Sequence, residues 1–171
     1  QYWDNPYFQR YENYQTDKRD RFAGNFSLNY DISKNFNILG RIGIDGYNMM
    51  IEERRATGSI PAFFSFNAVE QPSGYAVTNL RFRETNYDLI ATYKNTFWED
   101  FNLQAIMGGN INVQSNYSNA QTTSGGLYIP GIYTISNSAS APAKPIISDT
   151  SKYIYEIQSF FNQYTIDVCL F

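Results

Sequence analysis

The chain contains no histidine. That removes the usual neutral-pH acid–base group and the commonest metal ligand. It has one cysteine, Cys169, so an internal disulfide is excluded. Neither sign of charge dominates, with 13 Lys and Arg against 16 Asp and Glu. No broad basic field draws the chain to nucleic acid, which is not expected as a partner. No apolar run approaches the ~20 residues a transmembrane helix needs. The opening residues, QYWDNPYF, lack the basic start and apolar stretch of a signal peptide, so a mature form or a piece of a longer chain is expected. Tryptophan is scarce, with two residues, but 15 Tyr and 13 Phe bring aromatics to 18%. That composition favours strands over helices.

What is present is alternation. In RFAGNFSLNYDI, residues 21–32, Phe22, Gly24, Phe26, Leu28, Tyr30 and Ile32 share one face of an extended chain. Ala23, Asn25, Ser27, Asn29 and Asp31 share the other. The pattern predicts further strands at 36–47, 86–95 and 101–114, and a fifth near 152–158. In the fourth, only Ile106 interrupts the polar face. Each of the first four runs has roughly the ~9–11 residues a tilted strand needs to cross a bilayer.

The connections alternate in length. Strands one and two, and strands three and four, are joined by hairpin-sized turns around DISKNF and KNTFWED. About thirty residues by this reading separate strands two and three, and a longer insert follows strand four. Short turns on one side and long loops on the other are the habit of outer-membrane barrels. The polar faces are mostly Asn, Gln, Ser, Thr and Gly, which suit a wet or plugged interior better than a soluble sheet's Lys- and Glu-rich exterior. Tyr30, Phe36, Tyr47, Tyr93, Phe97, Trp98 and Phe101 gather near strand ends, as in an interfacial girdle. The fold class expected is all-β: antiparallel up-and-down hairpins forming a slice of a large transmembrane β-barrel, open and incomplete on its own. By alternation, Asn25, Asn29, Arg41, Asp45 and Asn110 face its lumen.

The stretches NPY…YEN…GNFSLNYDI and GRIGIDGYN, then GGN closing a strand, then GGLYIPGIYTISNS, resemble successive parts of the SusC/RagA family. These are TonB-dependent outer-membrane transporters of Bacteroidetes, and the similarity runs from about Asp4 to about Ser138. The resemblance implies a large barrel of about 22 strands, a plug inside, a SusD-like surface lipoprotein as lid, TonB as energy source and outer-membrane lipid around the barrel. It implies uptake of a glycan or peptide. Residues 1–171 have room for five to six strands. They are therefore expected to be a partial barrel segment without a plug domain, non-functional alone, with TonB engaged through a missing N-terminal part. The tail after about 151 departs from the family, and its apolar set Tyr164, Ile166, Val168 and Leu170 runs out of phase with the terminal Phe171.

Two loops carry apolar residues. IPAFFSF holds Phe63, Phe64 and Phe66, and GGLYIPGIY holds Tyr128, Ile129, Ile132 and Tyr133. Such residues either pack their own loop or anchor a partner or substrate. No catalytic constellation is visible, and an enzyme is not expected. Glu52/Glu53 and Glu99/Asp100 read as solvated pairs in loops or turns, EERR as a self-paired loop start, and GGNINV lacks the Lys and helix of a phosphate loop. No cofactor is expected. The competing function is a secreted, soluble β-sandwich for binding or adhesion, using the same aromatics as a core.

Overall fold

The computed structural model describes residues 3–97, 101–149 and 155–168. Trp98, Glu99, Asp100, Cys169, Leu170, Phe171 and residues 152–154 of the expected fifth strand lie outside them. A short helix, α1 (Pro6–Glu12), precedes two long strands, β1 (Tyr14–Ser33) and β2 (Phe36–Arg55). A small ladder, β3 (Ala62–Phe64) with β4 (Asn67–Gln71), leads into β5 (Gly74–Phe97). Then come β6 (Phe101–Thr122), β7 (Ser124–Leu127), a 3-10 turn (Ile135–Asn137), β8 (Ser138–Ser140), β9 (Ile146–Asp149) and β10 (Tyr155–Val168). The main sheet runs β1-β2-β5-β6-β10, with β9 also on β6, and β7 pairs with β8. Among the described residues the strands are antiparallel and the sheet is not closed, as expected of a slice of five to six strands.

Helix α1 was not anticipated, yet its start is written in the sequence. The Asn5 side chain accepts from the Tyr7 N–H (2.9 Å), and Pro6 occupies the first turn, where a missing N–H is harmless. The strands are longer than apolar alternation indicates. β1 begins at Tyr14, not residue 21, because YQTDKRD is polar on both faces and is held by strand pairing instead. β2 runs on to Arg55, so Glu52, Glu53, Arg54 and Arg55 are strand residues rather than a loop start. At about 3.3 Å per residue, a 20-residue strand reaches about 66 Å. That is roughly twice what the ~9–11 residues of a bilayer crossing cover.

The tail is a strand over its described residues, and it runs on past the expected 152–158 to Val168. Tyr155 through Val168 pair in unbroken register with Gln114 through Phe101. Directly opposed residues share a face. So Phe160 stands beside Gly109, Tyr164 beside Ala105 and Ile166 beside Leu103 on the apolar face of β6, while Tyr155, Ile157 and Phe161 fall opposite Gln114, Asn112 and Gly108 on its polar face. Phe161 falls beside Gly108, where a Cβ would land on its ring, so glycine is what admits the aromatic there.

The chain packs as two compact units. Among described residues, unit 1 holds 3–20, 47–82 and 116–149, and unit 2 holds 21–46, 83–97, 101–115 and 155–168. Among described residues, both long connections belong to unit 1, and the short turn at 34–35 belongs to unit 2. The buried apolar side chains among the described residues, Ala56, Phe64, Tyr75, Ala76 and Leu127, all lie in unit 1. Unit 2 leaves its apolar set in the open: Phe22, Phe26, Leu28, Tyr30, Ile42, Ile44, Leu89, Met107, Phe160, Tyr164 and Ile166 are exposed. Among the described residues, no second sheet packs on that set.

Candidate functional site

Unit 2 carries a polar ladder on the face opposite its apolar set. Asp45 receives both ends of the Arg21 guanidinium, from Nε at 2.9 Å and Nη2 at 2.6 Å. Arg41 Nε donates to Asp88 Oδ2 (2.7 Å), and Asn110 Nδ2 donates to the other carboxylate oxygen (2.6 Å). Asn112 Nδ2 donates to Glu84 Oε1 and to Asn86 Oδ1, each at 2.6 Å. Of the residues expected to face a lumen, Arg41 and Asn110 are thus joined through Asp88, Asp45 is joined to Arg21, and Asn25 and Asn29 are exposed on the edge strand. Arg21 was missed as a site residue, although it shares the parity of Asn25. Ion pairs this open add little to stability, because water screens them. The ladder therefore gives a charged, hydrated wall rather than much stability.

In unit 1 the two long loops are fused by buried polar groups. Gln71, Ser73, Thr122 and Thr123 are the most completely buried side chains of the described residues. Gln71 Oε1 accepts from the Gly126 N–H (3.1 Å), and Ser73 Oγ accepts from the Leu127 N–H (2.9 Å). Asn67 Nδ2 donates to the Thr123 carbonyl (3.2 Å), and Thr123 Oγ1 accepts from the Tyr75 N–H (3.0 Å). Gly126 sits at φ +101°, where a side chain would be strained, and a Cβ there would crowd Ser73 Oγ. Burying hydrogen-bonded groups fixes geometry, because each one left unpaired would cost about 1–3 kcal/mol.

That assembly sorts the loop aromatics. Phe64 is 3% exposed and packs so tightly that a Cβ on Gly74 would strike it, so it belongs to the loop's own core. Phe66 is half-buried. Phe63 (68% exposed), Tyr128 (77%) and Ile129 (48%) face outward. Asn137 clamps the second loop: its Nδ2 donates to the carbonyls of Ile129 (2.8 Å) and Ile132 (2.6 Å), and its Oδ1 accepts from the Ile129 N–H (3.0 Å). The outward residues therefore stand on ordered backbone.

Arg54 ties the same loop to β2. Its Nη1 donates to the Tyr14 hydroxyl (2.7 Å), and its guanidinium lies 5.3 Å from the ring centroids of both Tyr14 and Tyr133. Nη2 lies 3.5 Å from Glu52 Oε1, which also accepts from the Tyr75 hydroxyl (2.6 Å). Burial, with that carboxylate beside it, pushes the Tyr75 phenol up to about 12. Burial also raises the Glu53 carboxyl above its ordinary value, partly offset by Arg55. The sequence reads Glu52 and Glu53 as a solvated pair, whereas the fold packs them against Tyr75, Arg54 and Arg55; Glu99 and Asp100 lie outside the described residues. Among the described residues no group of three or more His, Cys, Asp or Glu side chains could hold a metal.

No family profile matches the sequence, and no curated protein matches it. The fold does match solved structures. A chain in the structure of the RagAB peptide transporter superposes with a TM-score of 0.78 at 16% identity, covering 95% of this chain. Chains of the RagAB peptide importer in its "closed-closed" and "open-open" states give 0.77 and 0.75, at 16% and 15% identity. In each case the protein spans 17% of the length of the matched chain. At this identity the likeness establishes a shared fold: an all-β segment shaped like part of those larger chains.

Proposed function

We propose that the chain is a barrel segment of an outer-membrane, TonB-dependent nutrient importer of the SusC/RagA kind. The observation that carries this reading is the division of unit 2 into an exposed aromatic and aliphatic face and an opposite face of paired Arg, Asp and Asn. A water-bathed sheet has no use for that many uncovered apolar residues. A barrel wall with lipid outside and an aqueous interior does. The fold shared with the RagAB chains supports the same reading, and their description as a peptide transporter favours a peptide over a glycan as cargo.

The remaining parts follow as proposals. Unit 2 lies in the bilayer and unit 1 in water. Phe63, Tyr128 and Ile129 contact a SusD-like surface lipoprotein, and Arg41, Asp45 and Asn110 line the passage. TonB acts through parts of the transporter beyond this segment, and the segment itself catalyses no reaction. The secreted β-sandwich is disfavoured because, among the described residues, no sheet covers the apolar set of unit 2. The test is reconstitution: the chain, refolded from urea onto phosphatidylcholine vesicles, should float with them. Protease should cut within 56–73 and 123–149 and spare unit 2. A monodisperse chain that stays in water without detergent overturns the proposal.

A further inference from the structure

Where β2 and β5 run through unit 1, the polarity of their two faces is the reverse of that in unit 2. Arg81 Nε donates to Asn48 Oδ1 (3.3 Å), which puts these two polar residues on one face. The neighbouring residues Tyr47 and Phe82 take the other face, where their rings stack with centroids 5.4 Å apart and planes 27° from parallel. By alternation, Met49 follows Tyr47 on that face and Leu80 precedes Phe82. Tyr47, Met49, Leu80 and Phe82 are half-buried, whereas Asn48 and Arg81 are exposed. From β1, the Arg19 guanidinium lies over the Tyr47 ring, 4.0 Å from its centroid. In unit 2 the same parity carries the polar ladder: Tyr47 continues the alternation of Arg41 and Asp45, and Phe82 that of Asp88. Tyr47 therefore belongs to an aromatic shelf on the ladder's parity rather than to a lipid-facing girdle.

We propose that this shelf binds the C-terminal residue of a peptide, its carboxylate on Arg19 and its apolar side chain on Tyr47 and Phe82. The choice of a peptide rests on the importer reading above. Arg19 is exposed and, among the described residues, makes no hydrogen bond or ion pair. Stacking on Tyr47 occupies the flat face of its guanidinium and leaves the edge, with its five N–H donors, open to a planar anion. The charge count favours a carboxylate. Arg21, the next cation on this parity, is already paired with Asp45. One positive charge is therefore on offer, against about −1.5 to −2 on a phosphate monoester at neutral pH. Asp17, two residues before Arg19 on the same parity, further discourages a second negative charge. Beside the guanidinium lie two rings, a thioether and a leucine, with no amide or charged side chain among them. That lining suits an apolar side chain and not a hydroxyl-rich sugar, and Met49 adapts to side chains of different shape. A peptide offers carboxylates from two sources, its terminus or an acidic side chain. Only a terminal residue carries the carboxylate and an apolar side chain on the same Cα, as a guanidinium lying directly on a ring requires.

The test uses the chain in detergent micelles and Gly-Ser-Gly-Ser peptides bearing an uncharged fluorophore at the N-terminus, read by anisotropy. The probes end in Phe with a free carboxylate, in Phe amide, in Ser with a free carboxylate, or in Asp followed by Phe amide. The Phe free acid should bind at least tenfold more tightly than the Phe amide and than the Ser free acid. Added NaCl should erode the first preference and spare the second. Arg19→Gln, a change at an exposed position, should remove the preference for acid over amide and keep that for Phe over Ser, and Phe82→Ala should do the reverse. The probe series and salt titration on the unaltered chain need no variant to fold. Equal affinity for acid and amide, or a preference that salt or Arg19→Gln leaves intact, overturns the site. If the Asp-containing amide binds as tightly as the free acid, the assignment to a chain terminus is overturned. If 4-phenylbutyrate displaces the Phe free acid at equal concentration, the assignment to a peptide is overturned. A chain that fails to float with vesicles yet keeps both preferences overturns the bilayer reading and supports the shelf, and one that floats but shows neither preference overturns the shelf alone.

Discussion

Replacing Phe26 with arginine asks directly which medium covers unit 2. Phe26 is 67% exposed and lies midway along the 21–32 run, while Ile32, 52% exposed, lies one residue before the end of β1. If water covers both, an exposed substitution changes stability by no more than about 0.5 kcal/mol, and Phe26→Arg and Ile32→Arg behave alike. If lipid covers them, arginine near the bilayer midplane costs about 2–4 kcal/mol and near the interface about 0–1 kcal/mol. At 1.4 kcal/mol per tenfold, the Phe26 change then reduces the folded, bilayer-bound fraction about 30- to 700-fold, and the Ile32 change less than about tenfold. Urea titration of the vesicle-folded chain, followed by flotation and circular dichroism, reads both. The depth dependence is the decisive feature, because general damage to the sheet would not track distance from the turn. Two variants within about 0.5 kcal/mol of the parent would refute the assignment of this face to lipid.

Other expectations are equally specific. Gly108→Ala should destabilise the β6–β10 pairing by about 1–3 kcal/mol through overpacking against Phe161, and Phe161→Ala should remove most of that penalty in a double-mutant cycle read by denaturant titration. Gln71→Ala leaves the Gly126 N–H without its acceptor and should cost about 1–3 kcal/mol, seen as faster proteolysis of both long loops rather than one. The Tyr75 phenol is raised from 10.0 to about 12, so its neutral form is favoured by the fold; the stability it lends is intact below pH 10 and lost as pH rises through 12. Tyrosinate absorbance should show that late titration, and Tyr75→Phe should abolish the associated loss of structure. Glu53 is raised in the same sense, so its contribution is fully present below the ordinary value of 4.5 and falls as pH passes above it; Glu53→Gln should flatten that part of the profile in a thermal-melt series.

Alternation revealed the four long strands because each has a stretch whose two faces differ in polarity. It understated their lengths where both faces are polar. YQTDKRD has no apolar period, and only its pairing with a neighbouring strand makes it extended. The tail, too, needs a partner strand to be read. Its phase was measured against the terminal Phe171, whereas the fold measures it against β6, and the register beside Ala105 and Leu103 puts Tyr164 and Ile166 in phase. Helix α1 was legible and overlooked, since Asn-Pro is an N-cap followed by a residue suited to the first turn. The polar face was legible as a set, but which members join was not. That Asp88 bridges Arg41 and Asn110 depends on strand register, which no single strand encodes.

The loops mark where sequence reading stops for a physical reason. Phe63 and Phe64 are adjacent and chemically identical, yet one is exposed and the other buried. In a short strand, neighbours point to opposite sides, so local geometry requires one of the two to turn inward. Which one does so is fixed by Gly74, which opens the space Phe64 fills, and by Gln71 and Ser73, which tie this loop to backbone N–H groups of the other. Those partners lie more than fifty positions away in the chain. The outward set of Phe63, Tyr128 and Ile129 is therefore a property of the two loops together. A partner that reads this surface reads their fusion, and a change at Gln71, remote from any contact, should disturb recognition as surely as a change at Tyr128.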